Sequence, residues 1–161
     1  MDEPRWLNEQ EARVWRSYIH LKRDLSSLLE RQMLRDDGLS AAEFALLVPL
    51  SESEDGVLRA RDLGLAVGWE RSRLSHQVSR MEKRGLLVRE NCDEDARGSM
   101  VRLTDAGRAA IVAAAPAHVE AVRRYFFDVL TQDDLQALEA IFERVLAGLP
   151  KALAEECREE D

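Results

Sequence analysis

Cysteine is scarce in this sequence: Cys92 and Cys157 are the only two in 161 residues, and neither has a second cysteine or a histidine at ligand spacing. A disulfide framework and a zinc site are therefore not expected, and both thiols read as free. Three scattered histidines, no Gly-rich phosphate loop and no nucleophile set beside a base leave no catalytic constellation, which argues against an enzyme. No apolar run reaches membrane-spanning length, and residues 1–5 have neither the basic nor the apolar region of a signal peptide. The expectation is a soluble cytoplasmic protein with no membrane partner, metal or cofactor. Repeats and low-complexity linkers are missing too, and a chain of this length can bury one sufficient core, so a single domain is expected over residues 1–161.

An excess of positive charge is also lacking. The net charge is −8, which on its face disfavours nucleic acid, because DNA binding draws on Lys and Arg to neutralise phosphates. The distribution reverses that reading. Residues 57–104 hold ten Lys or Arg against seven Asp or Glu, whereas the rest of the chain holds thirteen against twenty-four. A basic centre on an acidic body can engage DNA locally while the remainder repels it.

Helical periodicity dominates what is there. Over residues 10–35, Val14, Tyr18, Leu21, Leu25 and Leu28 recur at three- and four-residue steps, and Trp15, Ile19 and Leu29 widen the stripe. Ser40 with Glu43 three residues later reads as a capping box that opens a second helix, in which Pro49 predicts a kink or an early end. Residues 51–56 read as a polar loop. Leu58, Leu63 and Val67 mark a short helix stopped by Gly68, and a further helix follows over 70–84 with Leu74, Val78 and Met81 facing inward. Two helices joined by a short Gly turn make a helix-turn-helix candidate. Leu86–Glu90 and Met100–Leu103 read as two strands around a polar segment, a β-hairpin that would form a wing. Thr104 and Thr131 can cap two long helices over 105–130 and 132–155, the first holding Pro116. The fold class expected is mainly α with a small β-hairpin: a winged helix-turn-helix over 40–104, with long helices at 10–35 and 105–155.

Function is carried by the 70–84 helix. At 100° per residue its outward face collects Ser72, Arg73, His76, Ser79, Arg80 and Lys83, flanked by Arg71, Ser75 and Gln77. That face is cationic and rich in hydrogen-bonding groups, and an α-helix fits the major groove, where Arg bonds guanine O6 and N7 in pairs. Ser72, Arg73 and His76, near the helix start, are the candidates for base contacts; Arg80 and Lys83 suit phosphates. A plain solvated face would look similar, and only the surrounding pattern favours DNA. At the hairpin tip, Arg97 can enter a minor groove with Asp95 holding its guanidinium; an unremarkable surface pair is the alternative.

The order of segments Arg61-Asp62-Leu63, Arg71-Ser72-Arg73-Leu74-Ser75, Arg80-Met81-Glu82-Lys83-Arg84-Gly85-Leu86-Leu87, Asp95-Ala96-Arg97 and Leu103-Thr104-Asp105-Ala106-Gly107-Arg108 resembles the MarR family signature. The resemblance implies a homodimer whose N- and C-terminal helices interlock and place two winged domains on near-palindromic double-stranded DNA. It further implies a repressor released by a small aromatic or phenolic effector or by an oxidant. Trp69, Glu70 and Gln77 depart from the family pattern, which commonly has an aliphatic residue, a Ser or Thr cap and an apolar residue there.

An effector pocket between the flanking helices and the winged region would make Trp15, Tyr18, Phe44 and His118 its candidate lining, although aromatics at helical spacing also serve as core or interface. Cys92, at the base of the wing, is a candidate oxidant sensor or an inert thiol, so a thiol-based redox regulator stays open as an alternative. A winged helix used only for protein assembly is the other rival. Such a module would show apolar or acidic residues where this chain has Arg73, His76, Arg80 and Lys83.

Overall fold

The computed structural model describes residues 4–91 and 99–149. The order of elements is α1 (Glu9–Asp37), α2 (Ala41–Glu52), β1 (Val57–Arg59), α3 (Ala60–Val67), α4 (Arg71–Lys83), β2 (Leu87–Asn91), β3 (Ser99–Leu103), α5 (Asp105–Tyr125), a single 3-10 turn (Phe127–Val129) and α6 (Gln132–Ala147). This is the mainly helical winged helix-turn-helix architecture with long flanking helices. Its hydrophobic core gathers Leu46, Leu47 and Leu50 of α2, Leu63 of α3, Leu74, Val78 and Met81 of α4, Leu87 and Val101 of the sheet, and Ile111 and Ala114 of α5.

Local chemistry accounts for most boundaries. Asn8 and Glu11 form a reciprocal capping box at the start of α1, and Ser40 and Glu43 form another at the start of α2. Thr131 and Asp134 repeat the device on α6. The short loop between α3 and α4 depends on Gly68, whose φ of 66° lies in the left-handed region that costs a side chain energy. α2 runs through Pro49 to Glu52, so of the kink or early end expected there the early end does not occur. Pro49 offers no amide to the preceding turn, but Leu46, Leu47 and Leu50 are buried around it, and their packing outweighs one absent hydrogen bond.

The sheet has a strand beyond the expected hairpin. β1 joins the far edge of β3, giving the order β1-β3-β2, all antiparallel, with Leu58 opposite Val101 and Arg89 opposite Val101 on the other side. Three residues are too few to show a twofold alternation, and the pairing partner is more than 40 positions away. The helix expected over 105–130 ends at Tyr125, where Phe126 leaves helical geometry and the 3-10 turn begins.

Thr104 and Gly107 lock α5 to the end of the helix-turn-helix. The Thr104 hydroxyl accepts the Gly107 amide at 3.0 Å and donates to the Gly85 carbonyl at 2.6 Å, while the Thr104 amide donates to the Leu86 carbonyl. A Cβ at position 107 would overlap that Leu86 carbonyl oxygen, so the helix can approach the chain this closely only because the residue is glycine.

Candidate nucleic-acid interface

α4 is anchored inward by Leu74, Val78 and Met81, all buried. Ser72, Arg73, His76, Arg80 and Lys83 are exposed on the other side, flanked by exposed Arg71 and Ser75, while Gln77 and Ser79 are half-buried. Of the nine residues expected on this face and its flanks, seven are therefore exposed. Arg97, Asp95 and Cys92 lie outside the described residues.

Two serines on that helix are already engaged. The guanidinium of Arg89, on β2, donates to the Ser75 carbonyl at 2.6 Å, to the Ser75 hydroxyl at 3.3 Å and to the Ser79 hydroxyl at 3.0 Å. Its backbone amide donates to Glu82 at 2.9 Å, and its side chain pairs with the same carboxylate at 3.4 Å. Arg89 thereby ties the first strand of the wing to the middle of α4. Sequence reading missed this role, because Arg89 sits ten to fourteen positions from the serines and no helical or strand period connects them.

At the helix start, the guanidinium carbon of Arg73 lies 4.2 Å from the ring centroid of Trp69, over its face. Trp69 is half-buried against the core, with its amide bonded to the Gly64 carbonyl at 3.0 Å. At the other end of α4, Arg84 donates to the buried Glu43 carboxylate and to the Gly38 carbonyl. Burial opposes ionisation of Glu43, but the Ser40 amide, the Arg84 guanidinium and the Ser40 hydroxyl together hold its carboxyl below the usual glutamate value.

Candidate effector residues fall in two pairs. Trp15 and Tyr18 lie 5.5 Å apart between ring centroids on the exposed part of α1. The rings of Phe44 of α2 and His118 of α5 lie 4.5 Å apart between centroids, tilted by 45°, where the His118 Nδ1 is buried without a hydrogen-bond partner among the described residues and burial pushes the imidazole pKa down.

Comparison with known proteins places this geometry. The sequence profile of the MarR family matches residues 37–98. The chain is 44% identical to Sco3205, a MarR family transcriptional regulator from Streptomyces coelicolor solved in complex with DNA. The match covers 94% of this chain and 96% of that one, with a TM-score of 0.88. The chain belongs to the MarR family. It is also similar to AbsC, another MarR family regulator from Streptomyces coelicolor, at 39% identity over 97% of this chain and 99% of that one, with a TM-score of 0.82. Among curated proteins it is 26% identical over 142 residues to the transcriptional repressor MprA of Escherichia coli K12, covering 87% of this chain and 78% of that one.

As a MarR family member the protein is a winged helix-turn-helix transcriptional regulator, a DNA-binding class without catalytic activity. Its departures from the common MarR pattern have visible consequences at α4. Glu70 occupies the N-cap without a side-chain hydrogen bond, and Trp69 supplies the surface on which Arg73 rests. Among the described residues, no helix is long and apolar enough to cross a membrane and no group of three or more His, Cys, Asp or Glu is placed to hold a metal ion.

Proposed function

We propose that this protein is a cytoplasmic homodimeric repressor that binds a near-palindromic operator through α4 and the wing and is released by a small aromatic or phenolic effector. The observation that carries the reading is the exposed cationic face of α4, held rigidly by three buried apolar residues beneath it. Ser72, Arg73 and His76 read bases in the major groove; Arg71, Ser75 and Gln77 flank them; Arg80 and Lys83 hold phosphates. Arg97, supported by Asp95, enters the adjacent minor groove. That Sco3205, a relative 44% identical to this chain, was solved in complex with DNA supports DNA as the ligand.

Dimerisation through residues 10–35 and 105–155 is supported by surface chemistry. No described residue of α6 is buried within the chain, although Ile141, Phe142, Val145 and Leu146 lie along it. Val14, Trp15, Tyr18 and Ile19 of α1 are equally uncovered. Apolar surface on this scale marks an interface, and twofold pairing sets two recognition helices about one DNA turn apart. For the effector, Phe44 and His118 supply an aromatic wall with an unpartnered nitrogen at the α2 and α5 contact, and Trp15 and Tyr18 supply a second wall on the dimer arm. An effector lowers DNA affinity by binding more tightly to the state whose two heads are spaced away from the operator half-sites.

The test is selection of bound genomic fragments by the purified protein, followed by affinity against salt for the best fragment and a scrambled control. A palindromic site bound far more tightly than the control, with affinity falling steeply as salt rises, is the expected result. Equal weak binding of both DNAs at every salt concentration, after removal of any co-purified ligand, would leave the protein-assembly reading instead.

A further inference from the structure

The base-reading role assigned to Arg73 above leaves open what holds this long side chain in a reading position. Arginine carries large rotamer freedom, and an exposed one must surrender it on binding DNA. Here its neighbour four positions back is Trp69, and the guanidinium already sits over the indole face at 4.2 Å. Among the described residues Arg73 donates no hydrogen bond and forms no ion pair, so its N–H edges stay available. A π face attracts the cation without occupying those donors, unlike a carboxylate, which would both bind and neutralise it.

The platform itself is fixed. Trp69 is half-buried against the core, and its amide is bonded to Gly64, where a side chain would crowd the Trp69 carbonyl at 3.2 Å. The turn between α3 and α4 thus holds the indole, and the indole holds the arginine. From this geometry we infer that Trp69 is a specificity-determining positioning residue, which orders Arg73 over its ring before DNA arrives and so sharpens discrimination for a guanine in the operator. The inference rests on Arg73 reading a base.

The experiment measures affinity for the selected operator, and for the same operator with the Arg73-contacted base pair changed, using wild type, Trp69→Leu, Trp69→Phe, Arg73→Ala and Trp69→Leu/Arg73→Ala. Leucine keeps apolar filling of the core but has no π face; phenylalanine keeps a face. Trp69→Leu is expected to weaken operator binding about five- to thirtyfold while leaving the altered operator nearly unaffected, Trp69→Phe to retain most of the discrimination, and Trp69→Leu to cost nothing further in the Arg73→Ala background. Full discrimination in Trp69→Leu, or an equal loss with and without Arg73, would overturn the inference while Arg73→Ala still reports base reading. Should Arg73→Ala itself discriminate as wild type does, the base-reading assignment fails and the inference falls with it. A readout independent of variant folding is the Arg73 side-chain Nε–H signal of the unliganded wild type, expected upfield from the indole ring current; an unshifted signal would equally overturn the inference.

Discussion

Arg84, the C-cap residue of α4, reaches across to Glu43 in the first turn of α2, and the same guanidinium bonds the Gly38 carbonyl at the end of α1. One side chain therefore joins α4 to the junction between the long N-terminal helix and the winged region. Glu43 is almost fully buried, whereas Arg84 is half exposed, so the carboxylate has more to lose if the pair breaks.

Arg84→Ala is expected to destabilise the fold by about 1–2 kcal/mol, less than for a fully buried pair because the Ser40 amide and hydroxyl still serve Glu43. The pair also sets a pH dependence. Glu43 has a folded pKa below its ordinary 4.5, so its contribution is fully present above that value and is lost as pH falls through the lower folded pKa. Denaturant melts from pH 7 down to pH 3 should show Glu43→Gln less stable at neutral pH but with a shallower acid decline. Parallel acid limbs for the two proteins would remove Glu43 from the explanation.

Gly107→Ala places a methyl group against the Leu86 carbonyl, which is backbone and cannot rotate away. The cost should be about 2–3 kcal/mol, seen as a thermal midpoint lower by several degrees. Gly148→Ala, where an added Cβ meets nothing closer than 3.5 Å, is the control and should change little.

Arg89→Ala removes the guanidinium contacts to Ser75, Ser79 and Glu82 at once and leaves only the residue-89 backbone amide bonded to Glu82. If the wing and α4 engage DNA together, operator affinity should fall about tenfold or more while stability changes by no more than about 1 kcal/mol, because the clamp is partly exposed. Calorimetry and titration on the same preparation separate these effects. A stability loss large enough to explain the affinity loss would assign Arg89 to folding alone.

Phe142→Glu places a charge on the uncovered apolar face of α6. If α6 pairs two chains as proposed, sedimentation equilibrium should show a shift toward monomer, with operator affinity falling because two half-sites no longer bind as one unit. An unchanged dimer would place the interface elsewhere.

Periodicity and capping are local properties, and the sequence carried them openly. Ser40 with Glu43, and Leu74 with Val78 and Met81, act within a few residues of one another, so the capping box, the inward stripe of α4 and the outward set of Arg73, His76, Arg80 and Lys83 were legible before any coordinates. The strands of the hairpin and the Thr104 and Thr131 caps were legible for the same reason. The relationships that decide how those parts work together span long stretches of chain. β1 is defined only by its partner β3, Arg89 meets two serines on another element, and Glu43 finds Arg84 across 41 positions. Trp69 and Arg73 are only four residues apart, yet in the sequence one was a departure from the family pattern and the other a base-contact candidate; the turn at Gly68 and the core beneath the indole decided that the ring would lie under the guanidinium. Sequence by itself determined which residues share a face of each helix, and for α4 which face is buried, because that depends on the period of the chain. Tertiary structure alone decided which polar groups meet, because that depends on how the buried faces pack.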